Sequence, residues 1–240
     1  MIKRAYAAKE LSRLPKHGVE AQKIRALLSA YGTQYDFCRF YVSEDFILCE
    51  TDGDFVLSEI GGEKHSEHVE ELADFLSFHG FSEVFCSRSL GEGLSDLLQC
   101  SVQIVNLMRF CGKAVECADI EKSPPLDEVY SILQTAFDID HDWWYVDMSH
   151  RIRHNVASAR KLGRSALVIQ HDLNGEALLS QIATVPEARG QGVASRLILS
   201  VCAELSESEV YVLCEDRLLP FYRKIGFELV DVKTILRTIP

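Results

Sequence analysis

The sequence predicts an α/β protein with a mixed β-sheet, and three observations predict it. First, apolar strand-like runs at residues 165–170 and 177–183 flank Asn174-Gly175, a strong β-hairpin signal. Second, the later run leads through a glycine-containing turn at residues 189–194 into an amphipathic helix and then another strand. Third, the first half of the chain shows a similar order of elements. Such an order places antiparallel and parallel pairs in one sheet.

In the second half, a helix is predicted over residues 126–137, where apolar residues recur at helical spacing and Asp127 suits the N-terminal end. A helix after the glycine turn places four apolar side chains on one face: Val193, Leu197, Val201 and Leu205. A strand at residues 210–214 and a short helix containing Phe221-Tyr222 complete the pattern.

In the first half, residues 40–48 and 54–60 alternate like strands around Asp52-Gly53. The elements predicted after them are a helix from Val69 to Leu76, a strand at 83–86, a short helix at 93–98 and a closing strand at 102–110. Two adjacent prolines at residues 124 and 125 interrupt helix and sheet alike, so we expect one domain at residues 1–120 and a second at 121–240.

The net charge of -11 bears on partners and location, since both halves are acidic. This charge disfavours nucleic acid and anionic membranes as partners and attracts cationic amines. No apolar run reaches the roughly 18 residues that a membrane-spanning helix needs. The eight cysteines form no Cys-x-x-Cys pair and fall largely in apolar runs, so buried thiols in a reducing cytoplasm are expected.

The turn at residues 189–194 reads Arg-x-x-Gly-x-Ala and carries the strongest chemical signal. Gly190 and Gly192 let the backbone approach a ligand closely, and the first N–H groups of the next helix have no partner within that helix. The helix dipole adds a preference for anions, so a pyrophosphate suits this turn. The segment has neither the Gly-Lys-Ser/Thr of a Walker loop nor the third glycine of a dinucleotide fingerprint. An ordinary turn at a helix start is the alternative.

A second motif follows about thirty residues later in Phe-Tyr-Arg-Lys-Ile-Gly-Phe-Glu at residues 221–228. The order and spacing of the two motifs resemble the GNAT superfamily of acyl-CoA-dependent N-acetyltransferases over residues 126–240. The resemblance, taken with the repeat, implies two GNAT-like domains in tandem. One departure is Glu215-Asp216-Arg217, where such proteins often carry an asparagine early in the turn.

The resemblance implies acetyl-CoA as acyl donor and an amine as acceptor. It places the pantetheine arm along the backbone of the strand before the turn, and the pyrophosphate on the turn itself. A backbone N–H near Ile182 would polarise the thioester carbonyl, and Tyr222 would protonate the leaving thiolate, unless Phe221 and Tyr222 serve only for packing. The implied donor-binding residues are Ile182, Ala183, Thr184, Arg189, Gly190, Gln191, Gly192, Val193, Ala194 and Ser195.

The general base stays open. Ser180 and Gln181 occupy strand positions where some relatives carry a carboxylate, and neither is a competent base. Candidates acting through water are Glu176, Asp147, His150 and His154.

The aromatic segment at residues 143–145 suits either recognition of a cationic amine or packing. His150 and His154 are separated by Arg151 and two further residues and lack the glutamate of a zincin motif, so no metal site is expected.

The equivalent turn in the first half, at residues 60–67, lacks Arg-x-x-Gly-x-Ala and has added carboxylates, which repel pyrophosphate. We therefore expect a degenerate first domain without a cofactor loop. An active copy with a different loop and an unrelated α/β domain remain alternatives.

The leading hypothesis for function is acetyl-CoA-dependent N-acetylation of a small-molecule amine by direct attack. The alternatives are a non-catalytic CoA-binding sensor and a protein N-acetyltransferase. Acceptor identity and oligomeric state do not follow from the sequence.

Overall fold

The computed structural model describes residues 1–61, 68–116 and 119–239. The chain divides into two compact units: Met1–Asn106 together with Asp231–Pro240, and Leu107–Val230. These bounds differ from the division expected at residue 120, because the C-terminal segment forms a strand of the first unit. The first-domain turn predicted at residues 60–67 lies largely outside the described residues, at positions 62–67.

The strands are β1 (Lys3–Ala5), β2 (Cys38–Val42), β3 (Phe46–Thr51), β4 (Asp54–Glu59), β5 (Glu83–Ser87), β6 (Cys100–Phe110), β7 (Ser158–Leu162), β8 (Ser165–Leu173), β9 (Glu176–Thr184), β10 (Glu209–Cys214) and β11 (Phe227–Thr238). The helices are α1 (Val19–Tyr31), α2 (Val69–His79), α3 (Arg88–Ser95), α4 (Leu126–Leu133), α5 (His141–Arg153), α6 (Val193–Glu204) and α7 (Leu219–Lys224). Short 3-10 turns lie at Ala8–Leu11, Pro186–Ala188 and Asp216–Leu218.

In the first unit the strand order is β1-β2-β3-β4-β5-β11. Strands β1 to β4 pair antiparallel, β4 and β5 pair parallel, and β5 pairs antiparallel with residues 233–237 of β11. Leu72 and Leu76 of α2 are fully buried in a core that also takes Phe46, Leu48 and Phe55 from the sheet. Apolar side chains spaced four apart along the helix lie on the same face, which explains why α2 packs on this sheet.

In the second unit, β7, β8 and β9 form an antiparallel meander, β9 pairs parallel with β10, and β6 lies beside β10. Both faces of the sheet are covered. Leu167 and Ile169 of β8 belong to a core built with α6, whereas Ala166 and Val168 belong to one built with α4 and α5. This alternation follows from the two-residue period of a strand.

Both units thus contain three antiparallel strands, a helix and a parallel strand, which confirms the predicted mixed α/β architecture. Asn174 and Gly175 both have positive φ, 54° and 79°, as the predicted tight hairpin turn requires. The strand predicted at 40–48 is wrong in one respect, because Ser43 closes a turn there by accepting the N–H of Phe46 at 2.9 Å, which separates β2 from β3. The helix predicted at 126–137 ends at Leu133.

Candidate functional site

The glycine turn lies between β9 and α6, where the sequence predicts an anion-binding loop. A 3-10 turn at Pro186–Ala188 leads into Arg189, and Gly190 and Gly192 then take φ of 76° and 74°. The backbone of any residue with a side chain is strained at these left-handed φ angles. A Cβ at either glycine would meet no atom within 4 Å. Glycine is therefore required here for backbone conformation, and the space above the loop is open.

Helix α6 begins at Val193, directly after this loop. The first intrahelical bond runs from the Arg196 N–H to the Gly192 carbonyl at 3.1 Å. The three N–H groups before it, at Val193, Ala194 and Ser195, have no partner within the helix, and Gly192 has no side chain with which to cap them. Together with the dipole of a twelve-residue helix, they make a site that favours an anion.

The two long side chains of the loop turn back to support it. Arg189 donates from Nε to the Thr184 carbonyl at 3.0 Å and from a terminal nitrogen to the Thr135 carbonyl at 3.4 Å. Gln191 donates from its amide to the Glu187 carbonyl at 3.1 Å. In this conformation the loop presents backbone groups, rather than these side chains, to a ligand.

Strands β9 and β10 stop pairing before β9 ends. Their parallel register runs from Glu176 opposite Glu209 to Leu179 opposite Val212. Strand β9 continues to Thr184 and stays paired with β8 on its other side. On the side facing β10, the backbone of the last residues of β9, which include the predicted Ile182, Ala183 and Thr184, lies beyond this register. Peptide-like groups of a ligand can pair with such an edge.

A β-bulge lies at the point where the two strands stop pairing. Ala166 pairs with Ala183 and Val168 with Ser180, so two residues of β9, Gln181 and Ile182, oppose one residue of β8. Gln181 has φ of 46°, which is uncommon for a residue with a side chain. The extra residue reverses the alternation of β9.

The reversal shows in the packing of β9. Leu179 and Ile182 are three residues apart yet lie on the α6 side of the sheet, whereas Ala183 faces the core with α4 and α5. A regular strand would place Leu179 and Ala183 on the same face.

Helix α5 contacts this bulge and a second one. The Trp144 indole N–H donates to Oε1 of Gln181 at 2.9 Å, and Trp144 is 2% exposed. One terminal nitrogen of buried Arg151 donates to the carbonyl of Gln170, which is the extra residue of the bulge in β8. Trp144 and Arg151 are seven residues apart and lie on the same helix face. Sequence reasoning missed both contacts, since no local pattern marks a bulge.

Tyr222, the predicted general acid, lies in α7 and is 6% exposed. Its ring packs at 5.1 Å from Phe221 and 5.5 Å from Phe227, in the apolar cluster against which Ile182 and Val193 also pack. The structure thus brings the tyrosine, the end of β9 and the start of α6 into one cluster. Burial raises the pKa of the Tyr222 phenol, with a smaller contribution from Cys214. Within the described residues its hydroxyl makes no hydrogen bond.

The Gly-Phe end of the second motif has a packing role. A Cβ at Gly226 would lie 2.7 Å from Cα of Gly112, and one at Gly112 would lie 2.9 Å from Cα of Gly226. The Cys111 N–H donates to the Gly226 carbonyl at 2.8 Å. Phe227, 1% exposed, then enters the core beside Tyr222. Gly226 is required because two backbones meet here.

The aromatic segment of α5 divides between packing and exposure. Trp144 is buried, whereas Trp143 and Tyr145 are 54% and 37% exposed. Asp147 pairs with Arg151 at 3.4 Å. His150 and His154 stack with ring centroids 4.4 Å apart, and among the residues described no group of three or more metal-ligating side chains occurs.

Two of the four candidates for a general base, Glu176 and Asp147, are either distant from Ile182 along the strand or already paired. Glu176 begins β9, six residues before Ile182, which corresponds to roughly 20 Å along a strand. Asp147 forms an ion pair with Arg151. The base, left open from the sequence, stays open.

The chain resembles one protein family and several solved structures. Residues 144–229 match the family model of the acetyltransferase (GNAT) domain. This range contains the bulge, the glycine turn and Tyr222, and the family it matches is the one that the two sequence motifs predict. No curated protein sequence matches the chain.

Three solved structures show the same fold. A Drosophila protein aligns with a TM-score of 0.69 at 11% identity over 100% of this chain and 98% of its own. A GCN5-related N-acetyltransferase from Kribbella flavida aligns with a TM-score of 0.65 at 12% identity, over 92% and 95% of the two chains. A tandem GNAT protein from the clavulanic acid biosynthesis pathway aligns with a TM-score of 0.57 at 11% identity, over 98% and 97%. The predicted fold class, tandem GNAT-like domains, is confirmed.

Within the described ranges, no helix combines the length and the apolar character needed to span a bilayer.

Proposed function

We propose that the second unit transfers the acetyl group of acetyl-CoA to the primary amine of a small-molecule acceptor. One observation carries the proposal: β9 loses its pairing with β10 at Leu179, and the strand then leads directly to the open amides at the start of α6. A thioester with an extended amide-containing arm and a pyrophosphate needs both features, a strand edge with which the arm can pair and a helix N-terminus for the anion.

In this proposal the donor-binding groups are the backbone of Ile182, Ala183 and Thr184 and the loop that starts at Arg189. The loop continues through Gly190, Gln191 and Gly192, and the first residues of α6, Val193, Ala194 and Ser195, complete the site. Arg189 holds the end of β9 to the loop through the Thr184 carbonyl, so it acts on the donor site indirectly.

The chemical step needs a stabilised oxyanion and a proton for the leaving group. The amine nitrogen attacks the thioester carbon, the carbonyl oxygen takes negative charge, and a backbone N–H near Ile182 stabilises it. The carbon–sulfur bond then breaks, and the Tyr222 hydroxyl donates its proton to the thiolate. The raised pKa of Tyr222 keeps that proton in place before the step.

The acceptor must lose a proton for the attack. Since Glu176 is remote and Asp147 is paired with Arg151, we propose that water removes the proton, alone or with His150 or His154 as the base, or that the amine binds in its neutral form. The same shortage of a base favours the second candidate, a CoA-binding sensor without turnover.

The test is a calorimetric titration of the full chain with acetyl-CoA, followed by a screen of amines that includes polyamines, aminoglycosides and peptide N-termini. Gly192→Glu adds a carboxylate to the proposed anion site, and we expect it to abolish binding. Gly175→Glu is the matched control, because Gly175 has a similar φ of 79° and no atom within 4 Å of a Cβ, at the opposite end of β9.

Absence of binding in the wild type would overturn the proposal. Binding without turnover on any amine would favour the sensor. One site per chain is expected, because we propose that the first unit is a degenerate copy. Two sites would contradict that part of the proposal. The buried thiols of the chain suit a reducing compartment, so we also propose a cytoplasmic location.

A further inference from the structure

A groove of about 490 Å³ lies beside β7 in the second unit. We name it the β7 groove. Its walls come from the segment before α4, the start of α4, one face of α5 and the start of β7, and its lining residues are Lys122, Ser123, Pro124, Leu126, Tyr145, Ser149, Ile152, Arg153, Ser158 and Ala159. Its volume is within the range of small-molecule sites.

The β7 groove has an apolar floor and a polar rim. Pro124 and Ala159 are buried, and Leu126 and Ile152 are half-buried beside them. The rim carries exposed Tyr145. Binding sites for small molecules combine such an apolar surface with a few polar groups that orient the ligand.

The charges on the groove are all of one sign. Among the described residues that line it, only Lys122 and Arg153 are charged, and both are exposed cations in a chain of net charge -11. Arg153 uses Nε to bond the Ser149 carbonyl at 3.2 Å. Within the described residues, neither its terminal nitrogens nor the Lys122 ammonium lies within ion-pair distance of a carboxylate, and the longer-range charge of Lys122 contributes to the lowered pKa of Glu204.

The rim is held in place by buried Arg160. Its guanidinium donates to the Lys122 carbonyl and to the Ala159 carbonyl, each at 2.8 Å, and forms two further bonds with the Glu204 carboxylate. The Glu121 and Lys161 backbones also bond to each other, at 2.8 and 3.1 Å. The segment that carries Lys122 is therefore fixed to β7 before any ligand arrives, which reduces the entropy cost of binding.

The β7 groove is separate from the proposed acyl-donor site. None of its lining residues comes from β9, β10, α6 or α7. Strand β7 is separated from β9 by β8, a distance of about 10 Å across the sheet.

We propose that the β7 groove binds a small organic carboxylate with an apolar or aromatic body. The carboxylate would lie between Lys122 and Arg153, and the body would cover Leu126, Ile152 and Ala159. The charge of the rim selects an anion, and the apolar floor selects against a fully hydrated one such as sulfate. The inference does not depend on acetyl transfer.

The test titrates the isotope-labelled full chain with three probes of one shape and different charge: hydrocinnamate, hydrocinnamamide and phenylpropylamine. Amide chemical shifts report where each probe binds. We expect saturable shifts at Ser149, Ser158 and Ala159 with hydrocinnamate, and affinity at least about tenfold weaker for the amide and the amine.

Charge-reversing variants complete the test. Arg153→Glu and Lys122→Glu should each weaken hydrocinnamate binding about tenfold, whereas Lys113→Glu, an equal charge change at an exposed position outside the groove, should leave it unchanged. Spectra that superimpose away from the groove will show that each variant is folded. Equal binding of the three probes, shifts centred elsewhere, no saturable binding or equal weakening by Lys113→Glu would overturn the proposal.

Discussion

The Trp144 indole N–H donates to the side-chain carbonyl of Gln181 at 2.9 Å, and this bond links α5 to the bulge of β9. Gln181 holds φ of 46° at the point where β9 and β10 part. A residue with a side chain costs roughly 1–2 kcal/mol in this conformation relative to the right-handed region. The hydrogen bond and the packing of buried Trp144 offset that cost.

This link predicts an energetic coupling between the two residues. Trp144→Phe keeps most of the apolar volume and removes the bond, so we expect a loss of about 1 kcal/mol in unfolding free energy. Gln181→Gly leaves the indole N–H without its acceptor but accepts φ of 46° without strain. The double variant should lose about 1 kcal/mol less unfolding free energy than the two single variants lose together. A double-mutant cycle measured by denaturant unfolding tests this expectation. Simple additivity would contradict the link.

Tyr222→Phe tests the proposed general acid. The ring packing is retained, so acetyl-CoA affinity measured by calorimetry should change by less than about twofold, while kcat falls by roughly 100-fold or more. Phe221→Leu is the control for a packing role and should affect stability more than the rate of the chemical step.

The pH dependence of the reaction follows from the raised pKa of the same phenol. Because the acid form persists above its ordinary pKa of 10.0, tyrosine ionisation should cause no fall in kcat as the pH approaches that value. A descending limb at or below pH 10 that disappears in Tyr222→Phe would show that the phenol titrates normally.

The ion pair between Arg160 and Glu204 should make stability depend on pH at acid values. The hydrogen bonds from Arg160 lower the pKa of Glu204 below its ordinary 4.5. Because the pKa is lower in the folded state, the ionised Glu204 carboxylate contributes its full stabilisation at pH values above 4.5. This contribution disappears as the pH falls through the folded-state pKa. Glu204→Gln should cost about 1 kcal/mol at neutral pH, after allowance for solvent screening, and nothing at pH values below the folded pKa. Urea unfolding at several pH values measures the difference. A cost independent of pH would contradict this prediction.

Gly226→Ala tests the close approach of two backbones. The new Cβ would meet Gly112 Cα at 2.7 Å and also occupy a φ of 94°, so we expect a loss of about 2–4 kcal/mol in unfolding free energy. Gly163→Ala is the matched control, with φ of 54° and no atom within 4 Å, and should cost about 1 kcal/mol. Equal costs in the two variants would show that backbone conformation alone requires the glycine at residue 226.

Much of the second unit was predictable because its signals are local. The Asn174-Gly175 turn and the helix after Gly192 follow from backbone preferences and side-chain period. The same approach missed α1 and β7, although both are regular elements. Strand β7 has the sequence Ser-Ala-Arg-Lys-Leu. Its central residue, Arg160, is buried because it forms an ion pair with Glu204, so the strand shows no hydrophobic pattern in the sequence.

The sequence by itself determined most of the strands and helices in their order, the glycine turn, and the two motifs that resemble the GNAT superfamily. Only the tertiary structure decided where β9 bulges, which residue supports the bulge, and where the β7 groove lies. The physical reason is sequence distance: Trp144 and Gln181 are 37 residues apart, and Arg160 and Glu204 are 44 apart. Local preferences set φ and ψ one residue at a time, whereas a bulge or a groove depends on which distant side chains the packed fold brings into contact.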